Sequence, residues 1–260
     1  QAAVSHQVKV LEQRLNVTLF RRLPRGLMIT AEGEALLPVL SDSFDRMAEM
    51  LERFEGGHVL EVLSVGAVGT FAVGWLLPRL ADFRDRHPFV DLRLSTNNNR
   101  VDLAAEGLDC AIRFADGAWH GTEAERLFEA PLTALCVPAV ADTLRTPADL
   151  LAWPLLRSYR VGEWAAWFAA AGVAGAAPLA RGIVFDSSLA MMEAALQGAG
   201  VAQAPPLMFP RALAAGAVRQ PFAVHTAAGA YWLTRLKSRP PTRAMEAFRH
   251  WILAQPPAPG

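Results

Sequence analysis

QAAVSHQVKVLEQRLNVTLFRR, residues 1–22, is the stretch that decides how the chain is organised. Its repeat predicts a helix whose apolar side consists of Val4, Val8, Leu11 and Leu15. The opposite side has no acidic residue and consists of Ala2, Ser5, His6, Lys9 and Gln13. Such a helix can pack on a small core while serine, lysine and glutamine side chains reach base edges in the DNA major groove. A surface helix with an ordinary solvated face has the same pattern, so the sequence that follows has to decide.

The charge of the first 30 residues favours DNA. They hold one acidic residue, Glu12, although the whole chain has zero net charge; their basic residues are Lys9, Arg14, Arg21, Arg22 and Arg25. Residues 16–30, NVTLFRRLPRGLMIT, are predicted to form two short strands that bend at residues 24–26. A helix followed by a small basic hairpin is typical of a winged helix-turn-helix. On this interpretation Ser5, His6, Lys9 and Gln13 read bases, and the DNA backbone is bound by Arg21, Arg22 and Arg25.

A long amphipathic helix is predicted next. Thr30 is in the position of an N-cap, and two glutamates follow in the first turn. Gly56-Gly57 ends the helix after about Phe54. A heptad-like row along it consists of Leu37, Leu40, Phe44, Met47, Leu51 and Phe54. The row packs either on its own domain or on a second chain. The presence of a DNA-reading helix favours packing on a second chain, because such a helix usually needs another copy one DNA turn away.

From Val59 the chain alternates strand-like and helix-like segments, which indicates an α/β fold. The first unit is predicted to contain parallel strands at residues 59–65, 90–95 and 108–114, joined by a helix that ends before Pro88 and a short helix at residues 101–106. The second unit has strands at residues 132–137, 155–158, 183–185 and 201–204, and helices at residues 147–151, 164–171 and 189–197. A last strand (231–236) and helix (242–253) return to the first unit, with crossovers near residues 130–131 and 226–229.

Two strand-to-helix junctions carry polar groups where the two units are expected to face each other. Thr70 follows the first strand in SVGAVGTF, and Ser188 follows a strand of the second unit in VFDSSLAM. Helix N-termini bind carboxylates, phosphates and amides, so one interpretation is a shared polar cleft. In the other, Thr70 and Ser188 only cap their own helices. Tyr231 either closes this cleft with its hydroxyl or is a half-buried strand aromatic.

The remaining patterns argue against catalysis, metal binding and a membrane span. Ser187 and Ser188 are not in a GxSxG motif, the glycines do not follow GxGxxG, and the six histidines have no ligand-spaced partner. We therefore expect neither an enzyme nor a cofactor or metal. Cys110 and Cys136 lie in apolar runs without a CxxC motif, which indicates buried reduced thiols. No apolar run reaches the ~20 residues of a membrane span and no signal peptide is present, so we expect a cytoplasmic location.

Two sets of motifs resemble the LysR-type family of transcription regulators. Those of the first part match the family's recognition helix, hairpin and linker helix: Ala3-Val4-Ser5, Leu11-Glu12, Leu19-Phe20-Arg21-Arg22 and Thr30-Ala31-Glu32-Gly33. Those of the second part are similar to the subgroup that regulates inducible β-lactamase: VGTFAVGWLLPRLADFR, DLRLSTNNNRVDLAAEGLD, AWHGTEA, FDSSLAMMEAALQGAG and YWLT. The chain begins with glutamine, without the family helices that precede the recognition helix, so we expect an N-terminal truncation.

The resemblance implies a fold, a ligand class and functional residues. The fold is a partial winged helix-turn-helix and long linker helix, then a two-lobed, periplasmic-binding-protein-like (type II) effector domain. The protein is implied to be a homo-oligomer (dimer or tetramer) on promoter DNA that regulates β-lactamase expression. Its ligands are cytosolic peptidoglycan fragments, of which UDP-MurNAc-pentapeptide represses and anhydro-muropeptides activate. Thr70, Ser188 and Tyr231 match the family's ligand-binding residues, and Gly69 and Asp102 match positions at which substitutions give constitutive activation.

The expected domains are part of a winged helix-turn-helix at residues 1–29, a dimerisation helix at residues 30–56 and an effector-binding domain at residues 57–260. The subdomains of the last are residues 57–130 with 230–255, and residues 131–229. Two alternatives remain open. One is a LysR-type regulator of other genes that senses a small carboxylate or amino acid. The other is a solute-binding module, which gives no reason for the basic segment or the heptad row.

Overall fold

The computed structural model describes residues 2–23, 26–52, 60–97, 100–115, 117, 119–174 and 183–257. The chain divides into two compact units, Gln1–Leu60 and Glu61–Gly260. Each unit builds its own set of helices and strands, and each is considered by itself. None of the helices in the described ranges is long and apolar enough to span a bilayer.

The first unit contains two helices separated by a hairpin: α1 (Ala2–Leu15), β1 (Phe20–Leu23), β2 (Gly26–Ile29) and α2 (Ala31–Glu52). α1 ends where Asn16 takes a left-handed backbone conformation (φ 54°), which asparagine tolerates better than most residues. Glu12 joins α1 to the hairpin, because its Oε1 accepts hydrogen bonds from the backbone N–H groups of Leu19 (2.7 Å) and Phe20 (3.2 Å). β1 and β2 pair antiparallel, so the predicted hairpin is confirmed.

Both helices of the first unit leave apolar side chains exposed. On α1, Val4 is 68% exposed and Leu15 is 47% exposed, so this side does not pack on a core made of the described residues. The predicted cap of α2 is confirmed, since Thr30 Oγ1 accepts a hydrogen bond from the Gly33 N–H at 3.2 Å. The predicted end of α2 and Phe54 lie outside the described residues. Four members of the heptad row are exposed, which favours pairing with a second chain: Leu37, Leu40, Phe44 and Met47.

A five-stranded mixed sheet is the centre of the second unit. Its order is β4 (Val90–Asn97), β3 (Glu61–Val68), β5 (Cys110–Ala115), β11 (Ala230–Leu236) and β6 (Thr122–Glu129). β3 is parallel to β4 and to β5, so the three predicted parallel strands of the first unit are confirmed. β11 is antiparallel to β5 and β6, so the last strand returns to the first sheet as predicted. The sequence analysis missed β6, whose charged residues gave no clear strand pattern.

The helical segment after β3 changes its winding three times. It consists of α3 (Gly69–Phe71), a π-helical turn (Ala72–Leu76), a 3₁₀ turn (Leu77–Arg79) and α4 (Leu80–Arg86). Pro78 has no backbone N–H to donate, which disfavours one continuous α-helix here. Gly74 lies so close to the following lobe that an added Cβ would be 2.0 Å from the carbonyl oxygen of Met208. The backbone of α3 and its π-helical turn therefore packs tightly on residues that come much later in the chain.

The predicted helix at residues 101–106 is wrong, because these residues form turns before β5. Asp102 gives the physical reason, since its Oδ1 accepts hydrogen bonds from the backbone N–H groups of Ala104 (3.0 Å) and Ala105 (3.1 Å). An aspartate that satisfies nearby N–H groups in this way competes with helical hydrogen bonding. Gly107 follows with a φ of 65°, which suits a turn.

The middle part of the second unit, residues 133–214, contains short strands and helices. β7 (Thr133–Leu135) pairs antiparallel with β10 (Ala202–Ala204), and β8 (Arg157–Ser158) pairs parallel with β9 (Val184–Phe185). These strands are shorter than predicted, because residues at the ends of the predicted ranges form isolated β-bridges and not continuous ladders. The helices are α5 (Pro138–Ala141), 3₁₀ Pro147–Ala152, α6 (Glu163–Ala170), α7 (Ser188–Leu196), 3₁₀ Pro206–Met208 and α8 (Pro210–Ala214). The proposed subdomain bounds themselves stay a prediction.

One apolar core joins the large sheet to these later elements. It contains the inner residues of β3, Met191 and Met192 of α7, and α9 (Arg243–Ala254), which packs on β3. A second core surrounds the aromatic side of α6. Cys110 and Cys136 are buried free thiols, as predicted, and burial raises the pKa of Cys136 to about 11. The shared core is what brings the junctions after β3 and β9 together.

Candidate functional site

The polar side of α1 is exposed along its length. Ser5, His6, Lys9 and Gln13 are all accessible, as is Arg21 on β1. The backbone of Arg22 continues β1, whereas Arg25 lies outside the described residues. These positions match the geometry expected of a base-reading helix beside a basic hairpin. Their contacts with DNA stay a prediction.

A small cavity lies in the second unit between the five-stranded sheet and the later elements. The ends of β3, β5, β8 and β9 reach it, so it collects the strand-to-helix junctions of both predicted subdomains. The three residues that the resemblance assigned to the ligand all line it: Thr70, Ser188 and Tyr231. The structure thus brings together residues that are far apart in the sequence.

Thr70 and Tyr231 form a hydrogen-bonded pair at the bottom of this cavity. Thr70 Oγ1 and the Tyr231 hydroxyl are 3.3 Å apart, and the two residues are only 3% and 1% exposed. Phe71 and Phe114 pack against the tyrosine ring. Burial raises the pKa of Tyr231 to about 12, so its hydroxyl stays protonated and can donate or accept a hydrogen bond.

The alternative in which Thr70 and Ser188 only cap their helices is wrong. The N-cap position of α3 is Val68, and the Thr70 hydroxyl bonds to Tyr231 instead. The N-cap of α7 is Ser187, whose Oγ accepts a hydrogen bond from the Ala190 N–H at 3.3 Å. Within the described part of the chain the Ser188 hydroxyl makes no hydrogen bond. It therefore lines the cavity with both its donor and its acceptor available.

Sequence reasoning missed an ionic group on the other side of the cavity. Arg160 donates from Nη2 to the carbonyl oxygen of Phe114 (3.1 Å), and its Nη1 is 3.8 Å from Glu163 Oε1. Ser158 Oγ donates to Glu163 Oε2 at 2.5 Å. Burial raises the pKa of the Glu163 carboxyl. The hydrogen bond from Ser158 and the charge of Arg160 partly offset this rise. The group lies at a third strand-to-helix junction, between β8 and α6. The expectation that polar groups at such junctions line a cleft, which led to Thr70 and Ser188, therefore also applies to this group.

The two predicted regulatory positions lie in different surroundings. Gly69 lines the cavity, and a Cβ added to it would lie 3.7 Å from Cδ2 of Leu189 on α7. A side chain larger than alanine at this position would therefore press on α7. Asp102 is not part of the cavity wall, and it holds the exposed turn before β5. Of the two, Gly69 is the one that lines the same cavity as Thr70, Ser188 and Tyr231.

Models of two known protein families match nearly the whole chain. Residues 1–34 match the bacterial regulatory helix-turn-helix protein of the lysR family. Residues 56–257 match the LysR substrate binding domain. The first match covers the helix and hairpin of the first unit, and the second covers the cavity.

Several known proteins are similar over the same ranges. The transcriptional activator AmpR of Pseudomonas aeruginosa is 70% identical over 253 residues, which are 97% of this chain and 86% of that protein. The crystal structure of its effector domain matches with a TM-score of 0.72 and 68% identity, and covers 74% of this chain and 94% of that domain. A structure of the Citrobacter freundii AmpR effector-binding domain has a TM-score of 0.70 and 48% identity, and covers 74% of this chain and 98% of that one. That domain carries three substitutions, threonine to valine, serine to alanine and tyrosine to phenylalanine.

Proposed function

The chain belongs to the LysR family of bacterial transcription regulators, and we propose that it controls β-lactamase expression in response to peptidoglycan fragments. LysR-type regulators bind DNA and effector ligands and function as oligomers, and they are not enzymes. The helix-turn-helix match over residues 1–34 is incompatible with the solute-binding alternative. A protein that acts on promoter DNA works in the cytoplasm, which is where we propose that this one is found.

The target gene is inferred from the relatives. The AmpR proteins, to which this chain is up to 70% identical among those compared, are transcriptional activators that regulate β-lactamase. The similarity extends through both parts of the regulator, the one that binds DNA and the one that binds the effector. On this basis Ser5, His6, Lys9 and Gln13 contact bases, and arginines of the hairpin contact phosphates.

The observation that carries the ligand proposal is the meeting of Thr70, Ser188 and Tyr231 in one cavity. The threonine, serine and tyrosine substituted in the Citrobacter freundii domain are 118 and 43 residues apart. Thr70, Ser188 and Tyr231 have the same separations, 188 − 70 and 231 − 188. The match supports the proposal that these hydroxyl groups contact the ligand here.

The chemistry of the cavity lining suits the peptide part of such a fragment. Hydroxyl groups on one side and the Arg160–Glu163 pair on the other can satisfy peptide carbonyl, N–H and carboxylate groups. We propose that UDP-MurNAc-pentapeptide places peptide groups here in the repressing state and that anhydro-muropeptides favour activation.

Gly69 lies where the cavity wall meets the contact between α3 and α7. It faces Leu189 of α7, so the ligand and the contact between α3 and α7 share one wall. A ligand can shift such an equilibrium only through different affinities for the two arrangements. We propose that bound muropeptide changes the angle between the two lobes and that α2 passes the change to the DNA-reading helix. Substitutions at Gly69 or Asp102 alter the same balance without ligand.

Calorimetry with the 260-residue chain tests this function. UDP-MurNAc-pentapeptide should bind, an anhydro-MurNAc peptide should compete with it, and Ser188→Ala should weaken binding. Ser43→Ala is the matched control, since Ser43 is exposed on α2 and bonds only to the helix backbone. No binding heat with UDP-MurNAc-pentapeptide, together with binding heat for free amino acids, would favour the alternative sensor of small carboxylates or amino acids.

A further inference from the structure

The side-chain oxygen of Gln203 belongs to the cavity lining and has no hydrogen-bond partner in the part of the chain that the structure describes. Gln203 is the middle residue of β10 and lines the cavity that holds Thr70 and Tyr231. It is only 3% exposed, and among the described residues its Oε1 accepts no hydrogen bond. A buried amide oxygen that bonds neither to water nor to protein destabilises the structure, because its lost hydration is not replaced. A ligand that donates a hydrogen bond to it would remove this cost.

The orientation of the Gln203 amide follows from its other end. Its Nε2 donates to the backbone carbonyl oxygen of Glu163 at 3.3 Å, and only the nitrogen of the amide can make this bond. The first residue of α6 thereby holds the amide group, and Oε1 is left as the end that is available to a ligand. The neighbouring strand β7 satisfies the backbone of β10 but offers the side chain no donor.

The Glu163 side chain adds a second hydrogen-bond acceptor to the cavity lining. The Glu163 side chain is 15% exposed, and its carboxylate takes one hydrogen bond from Ser158 and lies 3.8 Å from Arg160. A carboxylate has room for about four hydrogen bonds, so acceptor capacity remains. The hydroxyl groups of Thr70, Ser188 and Tyr231 can each donate or accept, whereas Gln203 Oε1 can only accept. To pair Gln203 Oε1, the ligand must therefore supply a hydrogen-bond donor.

We propose that Gln203 determines ligand specificity by accepting a hydrogen bond from an N–H group of the ligand at Oε1. This inference rests on the proposed function, because it concerns the same cavity. The N–H belongs either to a peptide amide or to an ammonium group of the bound fragment. Esters and ethers of the same shape lack the donor and are discriminated against, because they leave the buried oxygen unpaired.

Calorimetry on the 260-residue chain with UDP-MurNAc-pentapeptide tests the inference. Gln203→Met keeps the length of the side chain and removes the acceptor, so binding should weaken about ten-fold. Gln197→Met is the matched control, because Gln197 is exposed on the C-terminal side of α7 and bonds only to Glu193. It should bind as the unchanged protein does. Equal affinity of Gln203→Met and the unchanged protein overturns the inference and leaves the proposed function standing. No binding by the unchanged protein overturns both.

A second measurement completes the test. A crystal structure of the unchanged protein with UDP-MurNAc-pentapeptide needs no variant to fold. A ligand nitrogen within about 3.2 Å of Gln203 Oε1 supports the inference. A ligand carbon or oxygen at that place overturns it.

Discussion

The hydrogen bond between Thr70 and Tyr231 predicts an unusual pattern of stability in a double-mutant cycle. Tyr231→Phe removes one hydroxyl and leaves the other, on a residue only 3% exposed, without its partner. The distance of 3.3 Å is long for a hydroxyl–hydroxyl bond, so we take the lower part of the usual range, about 1 kcal/mol, as the loss. Thr70→Val should cost a similar amount, because it leaves the tyrosine hydroxyl unpaired.

The double variant should be more stable than the sum of the single effects suggests. Replacing both hydroxyl groups by apolar groups of the same shape leaves no unpaired polar atom, which is close to neutral. The expected coupling free energy is therefore about 1 kcal/mol, even though the double variant should bind UDP-MurNAc-pentapeptide more weakly than either single variant. The Citrobacter freundii domain with a threonine-to-valine, a serine-to-alanine and a tyrosine-to-phenylalanine substitution retains its fold, as this argument requires.

Urea unfolding followed by tryptophan fluorescence measures these values. All 7 tryptophans lie in the second unit, beginning at Trp75, so the signal reports the unit that holds the pair. Single effects that add without coupling would refute the idea that the two hydroxyl groups depend on each other. A Tyr231→Phe protein as stable as the unchanged one would refute it as well.

Three other predictions follow from local geometry and charge. Burial raises the pKa of Tyr231 from 10 to about 12, so the unfolded state loses this proton at a lower pH than the folded state does. The free energy of unfolding should therefore fall between about pH 10 and pH 12. Urea unfolding at pH 8 and at pH 11 should show a smaller fall in this free energy for Tyr231→Phe than for the unchanged protein. Gly74→Ala should destabilise by about 1–3 kcal/mol, since its Cβ would lie 2.0 Å from a carbonyl oxygen, whereas Gly69→Ala, with ordinary contacts, should change the urea midpoint little. Lys9→Ala should weaken promoter binding and reduce the salt slope of a DNA titration by about 1, whereas Lys237→Ala in the second unit should leave both unchanged.

The predictions from sequence succeeded where the signal was local. The cap at Thr30 was predicted from a threonine followed by two glutamates, and its hydroxyl accepts a hydrogen bond from the N–H three positions later. The alternation of apolar strands and helices predicted the parallel strands β3, β4 and β5. Helix α7 and its end at Gly198 followed from the same kind of signal, a glycine with a φ of 80°.

The failures came from bonds and neighbours that a single sequence does not reveal. The helix expected around Asp102 is replaced by turns, because the aspartate side chain takes the N–H groups that a helix would use. β6 was missed because it is an edge strand whose charged side chains form ion pairs with β11 and α9, as Glu125 does with Arg249. Gln203 looked like one polar residue in an apolar strand, and its partner on α6 is 40 residues away.

The candidate site was predictable in part. The rule that polar groups after parallel strands meet at one edge pointed to Thr70 and Ser188, and the return of the last strand to the first unit pointed to Tyr231. The direct bond between Thr70 and Tyr231 joins residues 161 positions apart and could be seen only in the structure. The Arg160–Glu163 pair belongs to a junction that the same rule covers, although the sequence analysis did not apply it there.

Transcription in vitro from the promoter of a β-lactamase gene tests the central claim most directly. The purified protein is added with UDP-MurNAc-pentapeptide, with an anhydro-MurNAc peptide, or with neither, and the transcript is measured. We predict less transcript with UDP-MurNAc-pentapeptide than with the anhydro-MurNAc peptide, and a difference that is reduced by Ser188→Ala. The same amount of transcript under all three conditions, from a protein that binds the promoter, would contradict the account.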